Sequence, residues 1–195
     1  MIISILDFDD TIFPTTYCIS TQQLFINENK PTPIIINPTL FGSIYELLST
    51  VLNYSDHTYI VTNSNRDWLT FCLNILTNCQ PLFGRINIVS THDLGFVKSP
   101  DRHDWKRMTF ANIFDDLLSD GKITLETPVT LVSMGDSHYD HDAANYITQI
   151  YKNVGLVSLK FRENPDQSLL IQEQEAAIIL CKNIPIEKTH ISYIL

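Results

Sequence analysis

The chain has 195 residues, 44% of them hydrophobic and 18% charged, with a formal net charge of −9 and an isoelectric point near 4.9. That length suits one well-buried domain over residues 1–195, and the acidic balance argues against a nucleic-acid-coating surface, so no stable nucleic-acid binding is expected. The scattered cysteines (Cys18, Cys72, Cys79, Cys181) form no Cys-x-x-Cys pair, and no apolar run approaches the roughly 18 residues of a membrane span, so the expectation is a soluble cytoplasmic protein without zinc, disulfides or a membrane partner.

Residues 2–6, "IISIL", form an almost wholly apolar β-branched run, the pattern of a strand buried on both faces, and too short for a signal peptide. It stops at Asp7, Asp9 and Asp10. Turn-rich residues follow, and then a helix is predicted over 38–53, with Leu40, Ile44, Leu47, Leu48 and Val51 at helical spacing after Pro38. "HTYIVT" at 57–62 reads as a second buried strand and 66–77 as a second helix. "RINIVS" at 85–90 is a weaker strand pattern.

A longer helix is predicted over 103–119, with Trp105, Met108, Ala111, Phe114, Leu117 and Leu118 as its apolar stripe and Gly121 as its stop. "VTLVSM" at 129–134 is the third strong strand, and "VGLVSLKF" at 154–161 a weaker one. Helices over Asp142–Lys152 and Ser168–Cys181 complete the chain. Alternating strands and helices predict an α/β three-layer, Rossmann-like sandwich with a parallel central sheet.

Ligands of open α/β sheets gather outside the carboxyl ends of the strands, so the residues that follow each apolar run matter most. Asp7, Asp9 and Thr11 follow the first run, Thr62, Asn63 and Ser64 the second, and Gly135, Asp136 and Ser137 the run at 129–134, with Asp140 one turn on. Each piece alone reads as turn or helix-cap material. His138 and His141 lack further clustered ligands and read as surface histidines. Arg102, His103 and Arg107 alternate with Asp101 and Asp104, as at a solvated helix start.

The order of the pieces is more specific: Asp-x-Asp-x-Thr, then Thr62, then a lysine, then Gly-Asp-Ser-x-x-Asp. From Asp7 to Asp140 this resembles all four motifs of the haloacid dehalogenase (HAD)-like phosphohydrolase superfamily. "DFDDTIFPTT", "IVTNSNRDWL" and "DWKRMTF" look like a branch with a Trp-Lys third motif. The resemblance implies a Mg²⁺-dependent phosphatase acting on a phosphorylated small molecule or macromolecule. Asp7 would be the nucleophile and Asp9 the general acid and base. Thr62, Asn63 and a lysine would bind the phosphoryl group, and the Trp-Lys pair of the resembled branch selects Lys106 over Lys98. Asp7, Asp136 and the Asp9 carbonyl would hold the metal, with Thr11 bracing the loop and Asp140 holding the lysine or a metal-bound water. Asp10 is expected to be a turn residue without a chemical role.

The connections between motifs leave room for a flap over roughly 12–36 and no separate cap, which implies an open site. The alternatives are a catalytically weak or inactive binding protein on the same fold, and a phosphatase of small metabolites with the flap as its lid. A phospho-acceptor receiver is disfavoured, because the lysine candidates precede the last acidic motif.

Overall fold

The computed structural model describes residues 1–21, 26–27, 30–31, 36–95, 99, 101–184 and 190–195. Lys98 lies outside them. The strands are β1 (Ile2–Leu6), β2 (Ile26–Asn27), β3 (Lys30–Pro31), β4 (His57–Thr62), β5 (Asn87–Ser90), β6 (Val129–Gly135), β7 (Val154–Lys160) and β8 (His190–Ile194). The helices are α1 (Thr15–Ser20), α2 (Pro38–Tyr54), α3 (Arg66–Ile75), α4 (Gln80–Phe83), α5 (Arg102–Ser119), α6 (His138–Ile150) and α7 (Gln167–Cys181). One sheet of parallel strands runs in the order β5-β4-β1-β6-β7-β8, and β2 and β3 form a separate antiparallel pair.

Side-chain alternation along the strands divides the core in two. Ile2, Leu6, Ile60, Met134 and Leu159 face α2, α3 and α7 through Leu40, Ile44, Leu69, Cys72, Leu170 and Ala177. Ile3, Ile5, Val61, Leu131 and Leu156 face α5 and α6 through Phe110, Phe114, Ala143 and Ile147. The result is an α/β sandwich of three layers. β1 lies between β4 and β6 and is buried along its whole length, as its almost wholly apolar run implied. All four cysteines are free and buried, and no helix among the described residues is long and apolar enough to cross a membrane.

Several predicted elements shift. Helix α5 buries only part of the stripe expected of it: Phe114 and Leu117 are buried, but Met108 is 46% exposed and Trp105 is only partly buried. The buried line is Lys106, Thr109, Phe110, Ile113, Phe114 and Leu117, with a lysine at its head. A lysine on a buried face breaks the apolar pattern, so the periodicity favours a neighbouring face. α6 begins at His138, four residues before the expected Asp142, because its first turn is polar and its buried positions start at Asp140. The second helix ends at Ile75 rather than 77, and β5 starts at Asn87 rather than 85. β8 was not predicted; it is an edge strand with mostly exposed residues and has no buried-run signature. Of the predicted flap, the described residues include α1, β2 and β3.

Phe114 is fully buried and stacks on Tyr151 with ring centroids 5.2 Å apart. Phe114→Ala is expected to lower the unfolding free energy by about 3–5 kcal/mol in urea denaturation. A loss below about 1 kcal/mol would mean that this layer is not close-packed.

Candidate active site

The chain order β1, β4, β5 runs outward on one side of the sheet and β6, β7, β8 on the other, so the strand order reverses between β1 and β6. That reversal opens a crevice at their carboxyl ends. The Asp7 backbone N–H donates to the Met134 carbonyl at 2.8 Å, bringing the chain after β1 against the chain after β6. Asp7, Asp136 and Asp140 meet there, each with a carboxylate oxygen within 4.8 Å of the others.

Lys106 reaches into this cluster from α5. Its Nζ lies 2.8 Å from Asp7 Oδ1 and 2.5 Å from Asp140 Oδ1, and the side chain is 2% exposed. Burial works against its charge, but Asp140 and Asp7 outweigh that and hold its pKa above the usual lysine range. Asp140 has both oxygens engaged, since Ser137 Oγ donates to Oδ2 at 2.6 Å. Asp140 therefore holds the lysine and is itself held by the first turn of α6. Gly135 makes this possible: a Cβ there would lie 2.3 Å from Asp140 Cγ, an impossible contact.

The cluster carries too much negative charge for one ammonium. Burial, then repulsion from Asp140, raises the Asp7 carboxyl well above its usual pKa, with Lys106 opposing the rise. Burial and Asp140 likewise raise Asp136 to about 7. Three carboxylates against one lysine leave two charges uncompensated, and the donors are all hard oxygens. That set could hold a small divalent cation, whose charge would offset the excess carboxylates.

Asp9 points into a second group. Its Oδ1 accepts from Thr15 Oγ1 at 2.6 Å and Trp68 Nε1 at 2.9 Å; its Oδ2 accepts from Thr62 Oγ1 at 3.0 Å and Ser64 Oγ at 2.7 Å. Thr62 is fully buried and its Oγ1 also accepts from the Ser64 N–H at 2.9 Å. The Asn63 side chain accepts from Thr91 Oγ1 at 3.1 Å, tying this loop to the end of β5.

Thr11 is buried, but its hydroxyl has no hydrogen-bond partner among the described residues, so it does not brace the loop as expected. Gln174 of α7 does so instead: its Nε2 donates to the Thr11 and Ile12 carbonyls at 3.0 and 3.1 Å. Asp10 is the turn residue, with φ 55° and Oδ1 accepting from the Thr16 N–H at 2.9 Å.

The structure thus gathers Asp7, Lys106, Asp136 and Asp140 into one cluster and sets Asp9 and Thr62 in a bonded group beside it. His138 and His141 are in neither. His138 is exposed and its ring centroid lies 4.8 Å from that of His103, and His141 Nδ1 lies 3.0 Å from Ser158 Oγ. Thr15, Ser64, Trp68, Ser137, Lys160 and Gln174 had no assigned role from sequence. Lys160, at the end of β7, donates to the Asp136 carbonyl. Thr15, Ser64, Trp68 and Ser137 lie inside quoted motifs, but nothing in a motif tells which way a hydroxyl or indole points. Comparison with protein-family models, curated proteins and solved structures finds no match to this chain.

The raised pKa values carry a sign. Asp7 and Asp136 bind protons in the folded protein at pH values where the unfolded chain has released them. Between the ordinary carboxylate range and about pH 7, their contribution to stability therefore grows as pH falls. In a metal chelator, the melting temperature is expected to rise from pH 8 to pH 5.5, and millimolar Mg²⁺ to flatten that slope. Asp136→Asn should flatten it without metal. An unchanged slope in both arms would place the excess charge elsewhere.

Proposed function

We propose that the protein is a Mg²⁺-dependent phosphatase of the HAD-like kind, hydrolysing phosphoric monoesters through an aspartyl-phosphate. The observation that carries this reading is the convergence of Asp7, Lys106, Asp136 and Asp140 from three distant segments into one buried group at the strand-order reversal. A structural acidic turn needs no buried lysine and no glycine shaped around a carboxylate. The four-motif order seen in the sequence supports the same reading independently.

In this reading Asp7 attacks phosphorus, and the ester oxygen leaves with a proton from Asp9; water then attacks the phosphoryl group on Asp7 and gives its proton to Asp9. Lys106, held by Asp140, places a fixed positive charge beside the reacting carboxylate and the phosphoryl oxygens. Thr62 Oγ1 and the Asn63 N–H supply neutral donors to the phosphoryl group. Mg²⁺, held by Asp7, Asp136 and the Asp9 carbonyl, would supply the positive charge that lets a dianionic ester approach a carboxylate. The short connection between the first two motifs supports a site open enough for a phosphate on a large molecule.

The protein is expected to release phosphate from an aryl phosphate with Mg²⁺ and not with excess chelator. Asp7→Asn should lower kcat by at least about 10³-fold. Near-full activity of Asp7→Asn would remove Asp7 as the nucleophile. A panel of nucleotides, sugar phosphates, phosphopeptides and end-phosphorylated oligonucleotides tests the open site, and exclusive turnover of small sugar phosphates would refute it.

A further inference from the structure

A carboxylate has about four lone-pair positions, and Asp9 has all four taken by neutral donors from three parts of the chain: Thr15, Thr62 with Ser64, and Trp68. A carboxyl group that must carry a proton to a leaving oxygen has to give up one of these bonds. Thr62 is the donor with a competing task, since a bound phosphoryl group claims the same hydroxyl. Its bond is also the longest of the four, at 3.0 Å.

Trp68 is the donor least able to leave. Its indole N–H donates and never accepts, so it serves only an acceptor such as Asp9 Oδ1. Its ring is fixed on both sides: edge-on to Phe13 at 6.3 Å and tilted against Phe71 at 5.7 Å. Phe13 stacks on Phe8 at 6.1 Å, and Phe8 sits between Asp7 and Asp9 in the chain. An aromatic ladder thus runs from α3 to the peptide between the nucleophile and the acid, and it ends in a hydrogen bond to the acid.

Building on the phosphatase reading, we propose that Trp68 is a positioning residue for Asp9. When the phosphoryl group takes the Thr62 hydroxyl, Trp68, Thr15 and Ser64 keep three of the four positions filled. The fourth, on Oδ2, is then open for the proton. As the Asp7–phosphorus bond forms and the ester P–O bond breaks, that proton passes to the leaving oxygen and Asp9 becomes a carboxylate. In the second half, water adds to phosphorus, the Asp7–phosphorus bond breaks, and the water proton returns to Oδ2. Substrate binding and delivery of the acid are then one event, because both depend on the same hydroxyl.

Leaving-group dependence tests this. Trp68→Phe keeps the ring contacts and removes the N–H. With Mg²⁺, its kcat for an alkyl phosphate, which needs protonation, is expected to fall about 10- to 100-fold. Its kcat for p-nitrophenyl phosphate, which does not, should fall less than about threefold, with KM little changed in both cases. Ser64→Ala, a smaller change, should show the same selectivity. Equal losses on both esters mean a purely structural role and overturn the proposal, as does no loss on either.

A readout without turnover is the indole N–H signal in a ¹H–¹⁵N spectrum. The chain has two tryptophans, and Trp68→Phe assigns the signals. Asp9→Ala should move the Trp68 signal and speed its exchange with solvent, and an unmoved signal refutes the contact. Wild-type protein that hydrolyses neither ester fails the phosphatase reading itself and the proposal with it. Wild-type activity with unselective variants fails the proposal alone.

Discussion

The architecture of the carboxyl edge follows from one constraint: Asp7, Asp136 and Asp140 are brought together where water reaches them poorly, and their repulsion has to be offset. Burying carboxylates at close range is costly unless they gain a cation, a proton or strong hydrogen bonds. All three devices are present. Lys106 bridges Asp7 and Asp140, burial and mutual repulsion raise the carboxyl pKa values of Asp7 and Asp136 so that they take up protons more readily, and Ser137 fills the remaining side of Asp140. Lys106 in turn occupies a core position on α5, so the helix and the site are held by the same ion pairs.

The parallel sheet is what makes such a meeting cheap in sequence terms. Each strand of a parallel sheet must return by a crossover, so the carboxyl ends of β1, β4 and β6 lie at one edge however far apart they are in the chain. The β1–β6 pairing then sets the closest approach, with Leu6 opposite Met134. Gly135 removes the one side chain that would keep Asp140 away. The loop after β1 is fixed from the opposite layer by Gln174, whose amide satisfies two carbonyls that a buried turn would otherwise leave unpaired.

Asp9 shows a different solution to the same problem. It lies two residues from Asp7 but belongs to another environment, where neutral hydroxyls and an indole surround it rather than charges. Two nearby carboxyl groups with contrasting surroundings suit contrasting chemical tasks. The division arises because the chain turns sharply at Asp10, whose positive φ reverses its direction and brings Thr15 under Asp9.

The strands could be read from the sequence because β1, β4 and β6 are buried runs whose apolar composition is a local property, and the same holds for the α2 stripe from Leu40 to Val51. The positions of Asp7, Asp9, Thr62 and Asp136 at strand ends were legible for the same reason, since the residue after a buried strand is fixed by counting. Choosing Lys106 over other lysines rested on resemblance; its place on a buried face is a tertiary fact. The first turns of α5 were misfaced for that reason, because a lysine disguises the buried stripe it belongs to. Edge strand β8 and the roles of Gln174 and Trp68 left no periodic trace, since each depends on partners from other elements. Local composition determined which segments are strands and which residues end them. Only the packing of α3, α5 and α7 on the sheet decided which side chains meet there, because hydrogen bonds and ion pairs are set by directions that a linear pattern does not encode.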